Sequence, residues 1–211
     1  MVTLSHWHLP YLILCGVAMG VVATFFNKSL MRMMKTFHNW HLSLRLGLAA
    51  LLTIGIGYLV PEALGAETGA IHYAVAAPDQ MGLLFAIFVA KFLLTVFALG
   101  LGIPGGIVGP VFGIGIVMGT ILAFMPSLLI GDYSTVGTYA VLGMAGMMAA
   151  TIHAPLAALV AVTELAANPE LVVPAILVIT ASYVTAVQFF NTNSIFMLQL
   201  DFLQMPYRLS P

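Results

Sequence analysis

Charge is nearly missing from this chain, which has six Lys and Arg and seven Asp and Glu among 211 residues, or 6%. Ordinary soluble domains carry roughly 25%. So few ionised side chains cannot clothe a soluble exterior. Between Phe92 and Leu200 only Asp132, Glu164 and Glu170 interrupt the sequence, and the long uncharged runs they leave exceed the ~20 residues that cross a bilayer. Cysteine is nearly absent too: Cys15 stands alone in an apolar run, which excludes a disulfide framework and a thiolate metal site and leaves a small buried apolar residue. The formal net charge of -1 provides no basic surface for nucleic acid, and no lysine or arginine run marks an anionic-lipid site. Enzyme signatures are missing as well: there is no His-Glu-x-x-His, no Gly-x-Ser-x-Gly and no Walker loop. No catalytic residue, metal ligand or cofactor is expected.

What is present is hydrophobicity, at 62% of residues with a mean hydropathy of +1.10. The chain reads as an all-α, polytopic membrane protein. The first ten residues lack a basic n-region, and no cleavage site precedes Asn27 and Lys28, so the first apolar stretch, 9–26, reads as a retained span. Lys28, Arg32, Lys35 and Arg45 then crowd the connection to a second span at 46–60. By the positive-inside bias that connection is cytoplasmic and the N-terminus is outside. The connection 61–80 carries Glu62, Glu67 and Asp79 without a basic residue, as an external loop should.

A third span, 81–100, holds Lys91 near its middle. At roughly 2.5–3.5 kcal/mol on insertion scales, such a lysine calls for a snorkelling path, a carboxylate or helix C-terminus to pair with, or a part in attracting anions. Beyond it, Gly100, Gly102, Pro104, Gly105, Gly106, Gly109 and Pro110 break the sequence, leaving a helix over 107–124. Asp132 lies outside, and a helix over 137–151 heads inward until His153, Ala154 and Pro155 interrupt it. The segment 155–166 is too short to cross, so the two pieces form a re-entrant hairpin. A full span over 171–190 follows, then a polar turn at Asn191, Thr192 and Asn193 and an amphipathic segment over 194–203. His153 reads as a cap or packing group before a proton carrier, and Glu164, near a helix end, as a structural residue before a relay. Met144, Met147 and Met148 read as helix packing. No direct internal repeat occurs at a fixed spacing; an inverted one leaves no such trace.

Broken helices point to a transport site near the midplane. The segment Gly102-Ile-Pro-Gly-Gly-Ile-Val-Gly-Pro110 places a helix start inside hydrocarbon, where irregular backbone survives only if protein or a wet cavity covers it. The first N–H groups of a helix lack partners and carry about half a positive charge, which favours an anion. Gly105 and Gly106 clear side-chain bulk from its approach, and the amides of Ile107 and Val108 are the expected donors. No arginine or lysine stands at this spot, so an anion can be held and still leave.

Gly105-Gly106-Ile107-Val108-Gly109-Pro110, followed by a glycine-spaced helix, is similar to the Gly-Gly-Ile-Phe-Ala-Pro motif of the chloride channel and chloride/proton antiporter (CLC) family. The stretch 142–156 with Glu164 and Pro174 resembles the family's late re-entrant hairpin and the helix after it. Ser194-Ile195-Phe196 resembles the start of its last helix, and 11–28 a helix at the end of its first half. The likeness covers essentially all 211 residues but only the family's C-terminal half. It implies one transmembrane domain over 1–211, the second half of an inverted-repeat fold, with the N-terminal half absent. It implies a multi-pass location in a bacterial inner or plasma membrane, with the lipid bilayer as surroundings. Chloride or another halide would be the substrate, with no cofactor.

Carried over by position, the resemblance makes Gly105, Gly106, Ile107 and Val108 the anion cradle, with Ile107 and Val108 donating backbone N–H groups. Phe196 matches the tyrosine whose hydroxyl faces the ion. A homodimer would form through 9–26, 155–166 and 171–190. Three departures stand out. Phe196 has no hydroxyl. Val108 replaces the usual phenylalanine; the fluoride-exporting branch also has valine there, but Ile107 occupies the place of its acidic residue. Nothing matches the Gly-Ser-Gly-Ile-Pro or Gly-Arg-Glu-Gly-Pro loops, which supply a serine ligand and the gating glutamate. The expected function is anion transport as the C-terminal part of a channel or antiporter. The competing expectation is a non-transporting subunit, or a truncated half that needs a separate N-terminal half.

Overall fold

The computed structural model describes residues 8–64, 81–130, 136–166 and 168–204. Among them all regular structure is helical: α1 His8–Phe37, α2 Leu42–Leu59, α3 Met81–Gly100, α4 Val108–Ile130, α5 Val136–Ile152, α6 Pro155–Ala166, α7 Val172–Val184 and α8 Ile195–Phe202. Short 3₁₀ turns at Pro61–Leu64 and Pro169–Leu171 and a π turn at Thr185–Phe189 complete the described elements. Four stretches are long and apolar enough to cross a bilayer: Pro10–Phe37, Leu42–Leu59, Met81–Gly100 and Pro169–Phe189. The expected external segment over 65–80, with Glu67 and Asp79, and Asp132 lie outside the described residues.

Two boundaries differ from expectation. The basic stretch after Asn27 is not a connection, because α1 runs on unbroken to Phe37. Lysine, arginine and methionine are good helix formers, and 21–37 contain no glycine or proline. The charge marks where the apolar stretch stops, not where the helix stops. Likewise α4 continues past Phe124 to Ile130, through Pro126. The expected segments 81–100 and 155–166 match α3 and α6.

At the centre lies α5, with twelve of its 17 residues buried; it packs against α1, α4, α6 and α7. Its alanines and glycines let neighbours approach closely, as small residues do in membranes. The approach is closest along α4, which runs antiparallel to it. A Cβ placed on Gly115 would lie 2.7 Å from both the Gly143 carbonyl oxygen and Met144 Cα, and one on Gly119 would collide with the Tyr139 carbonyl. Backbone therefore meets backbone along this seam. The pair α1 and α7 meets similarly but in parallel, with Gly16 against the Val178 backbone and Gly20 against that of Ser182. Tyr11 donates from its hydroxyl to the Leu122 carbonyl, linking α1 to α4, and packs edge-on against Tyr139.

By contrast α2 touches the rest of the fold along a narrow line, with only Ala49 and Gly57 buried. The hairpin reading is met where α6 folds back on α5. His153 between them takes φ of 61°, and the Ala154 carbonyl accepts the first α6 bond from Ala158 at 3.0 Å. Pro155 opens α6, where a missing N–H costs nothing.

Candidate functional site: an open row of amides at the head of α4

The chain leaving α3 turns through Gly102, whose φ of 91° suits a residue without a Cβ. Gly102 N–H donates to Leu99 O and Ile103 N–H to Ala98 O, which closes α3 and sends Pro104, Gly105 and Gly106 outward. Ile107 caps α4: its carbonyl accepts from Val111 N–H at 3.1 Å. Pro110 has no N–H to orphan. The amides of Gly105, Gly106, Ile107, Val108 and Gly109 have no backbone partner among the described residues. Except at buried Ile107, these residues are exposed, with Val108 at 39%. A row of outward N–H groups at a positive helix end can hold an anion without a countercharge.

Of the residues singled out from sequence, Gly105 and Gly106 also border a cavity of about 390 Å³ shared with Gly109, Lys91, Thr95 and Thr53. Lys91 is buried, and its Nζ donates to the Ala63 carbonyl in the turn after α2, at 3.2 Å. One contact of this lysine is therefore a backbone carbonyl of the 3₁₀ turn, and the residue also lines the cavity beside the glycine loop. Phe196 lies in the first turn of α8, 44% exposed. Its neighbour Ile195 shares one buried cluster with Ile107, Val111 and Ile114. Ile107 at the head of α4 and Ile195 at the head of α8 thus belong to one buried cluster, while Val108 and Phe196 are each exposed.

The head of α8 is held there by polar contacts that no local pattern announces. Asn27 is fully buried, and its amide donates to Thr151 O at 3.2 Å and to Asn193 O at 3.4 Å. Ser194 Oγ donates to Ile152 O at 2.7 Å. The last carbonyls of α5, orphaned by the helix break, are thus taken by α1 and by the residue preceding α8. In hydrocarbon each such carbonyl left unmet costs about 1–3 kcal/mol. His153 stacks edge-on against Tyr183, centroids 5.4 Å apart, as a packing group. Glu164 is exposed in the last turn of α6.

Sequence reasoning also missed Arg45, which it took only as a topological charge. Its Nε donates to the Leu101 carbonyl at 2.9 Å, and a Cβ on Gly102 would lie 2.6 Å from an Nη. The guanidinium thus lies against the turn that delivers the glycine loop. Arg45→Leu is expected to lower the melting temperature by the equivalent of about 1.5–3 kcal/mol, the worth of one charge-assisted bond. It should also speed amide exchange at Gly102 and Ile103 roughly tenfold. Unchanged exchange at both would show that the clamp does not hold the loop.

A sequence profile described as "Voltage gated chloride channel" matches residues 1–187. The H(+)/Cl(-) exchange transporter ClcA of Salmonella agona (strain SL483) is 34% identical over 174 residues, which is 79% of this chain and 37% of that protein. The ClcA of Salmonella gallinarum (strain 287/91 / NCTC 13346) gives the same figures. Among solved structures, a slow cyanobacterial Cl-/H+ antiporter superposes with a TM-score of 0.81 at 26% identity, covering 97% of this chain and 49% of that one. A eukaryotic CLC transporter gives 0.76 at 20% identity, over 98% and 37%, a likeness of fold. The chain thus spans less than half the length of these relatives. With the profile covering most of its residues and the broken-helix fold shared, the chain belongs to the voltage-gated chloride channel family, CLC.

Proposed function

We propose that this chain forms one wall of a chloride pathway, as the C-terminal part of a CLC-type transporter or channel. The observation that carries the reading is the row of amides at 105–109 without backbone partners among the described residues, with Gly105, Gly106 and Gly109 on a cavity shared with Lys91 and Ile107 in one core with Ile195 of α8. Ile107 and Val108 donate to the ion. Gly105 and Gly106 admit it to the backbone, and the Phe196 ring edge lines the constriction. Such a site compensates dehydration by partial charges and releases its ion readily.

The open face of that row favours a second wall from outside these 211 residues, consistent with a chain that spans 37% and 49% of its relatives' lengths. Exposed apolar residues on α1 (Leu14, Val17), α6 (Leu156, Val160) and α7 (Val173) suit a homodimer contact through 9–26, 155–166 and 171–190. Chloride-loaded liposomes separate the readings. The purified chain alone is expected to be silent, with efflux restored when an N-terminal CLC half is reconstituted beside it. Efflux from the chain alone would defeat the need for a second wall. Silence of the combined halves, both folded, would defeat the transport reading and leave a non-transporting subunit.

A further inference from the structure

Away from the α4 amides, the overhanging end of α1 makes a second feature. Lys28, Arg32 and Lys35 occur at i, i+4 and i+7 and so share one helix face. That face lines a cleft of about 430 Å³ whose other wall is Asn191, Thr192, Asn193 and Leu198. No lysine–arginine run exists in the sequence; the helix makes the cluster. Among the described residues no carboxylate lines the cleft, and Asp201, the acidic residue of α8, is not in its lining. Like charges one turn apart repel, an effect that Lys35 offsets in part by lying in the last turn of α1, at its negative end. The Lys28 ammonium lies 5.6 Å from the Phe190 ring centroid, and the side-chain amides of Asn191 and Asn193 are exposed.

The cleft is far too roomy for a monatomic ion and falls within the range of sites for multi-atom ligands. Three cations flanked by amide donors match an anion with several oxygens, above all a phosphate group. Its depth identifies the source. The basic face begins two residues after Phe26, where the apolar stretch of α1 ends. Phe189 is 80% exposed and Phe190 40% exposed, immediately before Asn191. Phenylalanine is among the side chains that favour hydrocarbon, and basic pockets between helices at its edge recognise anionic headgroups. We propose that this cleft binds the phosphate of an anionic glycerophospholipid, with Lys28, Arg32 and Lys35 on the phosphate oxygens and Phe189 and Phe190 against the acyl chains.

The test uses native mass spectrometry of the full chain in mild detergent, titrated separately with phosphatidylglycerol, phosphatidylcholine and inorganic phosphate. Phosphatidylglycerol is expected to bind at least tenfold more tightly than phosphatidylcholine. The triple change Lys28→Gln, Arg32→Gln and Lys35→Gln should erase that preference, while Lys28→Arg, Arg32→Lys and Lys35→Arg should keep it. Equal retention of both lipids by the unaltered chain, or an undiminished preference in the neutralised variant, would overturn the proposal. Inorganic phosphate displacing the lipid at equal concentration would overturn the lipid as the source. None of these readouts depends on anion transport.

Discussion

Replacing Val108 with proline should weaken halide binding roughly tenfold to a hundredfold while leaving the fold intact. Val108 is the first residue of α4, a position where the fixed φ of proline fits and no intrahelical bond is lost. Ile107 before it is the cap, outside the helix, so the restriction proline places on its predecessor is met there. The change therefore deletes one outward N–H and little else. A hydrogen bond to a charged partner is worth about 1.5–3 kcal/mol, and each 1.4 kcal/mol is tenfold in affinity. Calorimetric titration of the purified variant with chloride, together with its melting curve, checks both halves of the expectation. A variant that melts normally and binds as before would remove Val108 from the donors.

The largest effect on stability is expected at Gly143. A Cβ there would run into the Gly115 carbonyl and lie 2.7 Å from Gly119 Cα. Neither neighbour is a side chain that can rotate away, so α4 and α5 must part. Overpacking costs about 1–3 kcal/mol and occasionally more, with the upper end expected where backbone meets backbone, a large share of the ~5–15 kcal/mol that holds a folded protein together. Gly143→Ala should therefore fail to accumulate as a monodisperse species on size exclusion. Gly146→Ala provides the contrast, since its Cβ would meet the Val178 and Met19 side chains at 3.0 Å and beyond, and these can shift. Gly55→Ala, with open space around it, should be neutral or slightly stabilising through helix propensity. Equal melting of all three variants would refute the backbone seam.

How much of this was legible beforehand follows from what each signal encodes. The limits of α3 and α6 could be read because glycine and proline punctuate them, at Gly100 and Pro155. The end of α1 could not: positive charge reports where hydrocarbon gives way to headgroups, and a helix has no reason to stop there. The glycine loop was legible for the same reason as α3, since local backbone freedom is written in local residues. Its supports were not. Arg45 reaches across 56 positions to Leu101, and Asn27 across 124 and 166 to Thr151 and Asn193. Each of these ends on a backbone carbonyl, which carries no residue-specific mark. Lys91 was recognised as needing a partner, yet that partner, the Ala63 carbonyl, is equally anonymous.

The glycine seam between α4 and α5 also has a mechanical side. Interfaces built from long side chains yield under load, because rotamers change before backbones move. A seam of bare backbone has no such slack, so α4 and α5 behave as one stiff beam. Any tilt that re-aims the amides at 105–109 must swing α5 too, and with it the Thr151 and Ile152 carbonyls to which Asn27 and Ser194 are fastened. The heads of α4 and α8 therefore travel together, and any change in the spacing between them falls to parts outside this beam.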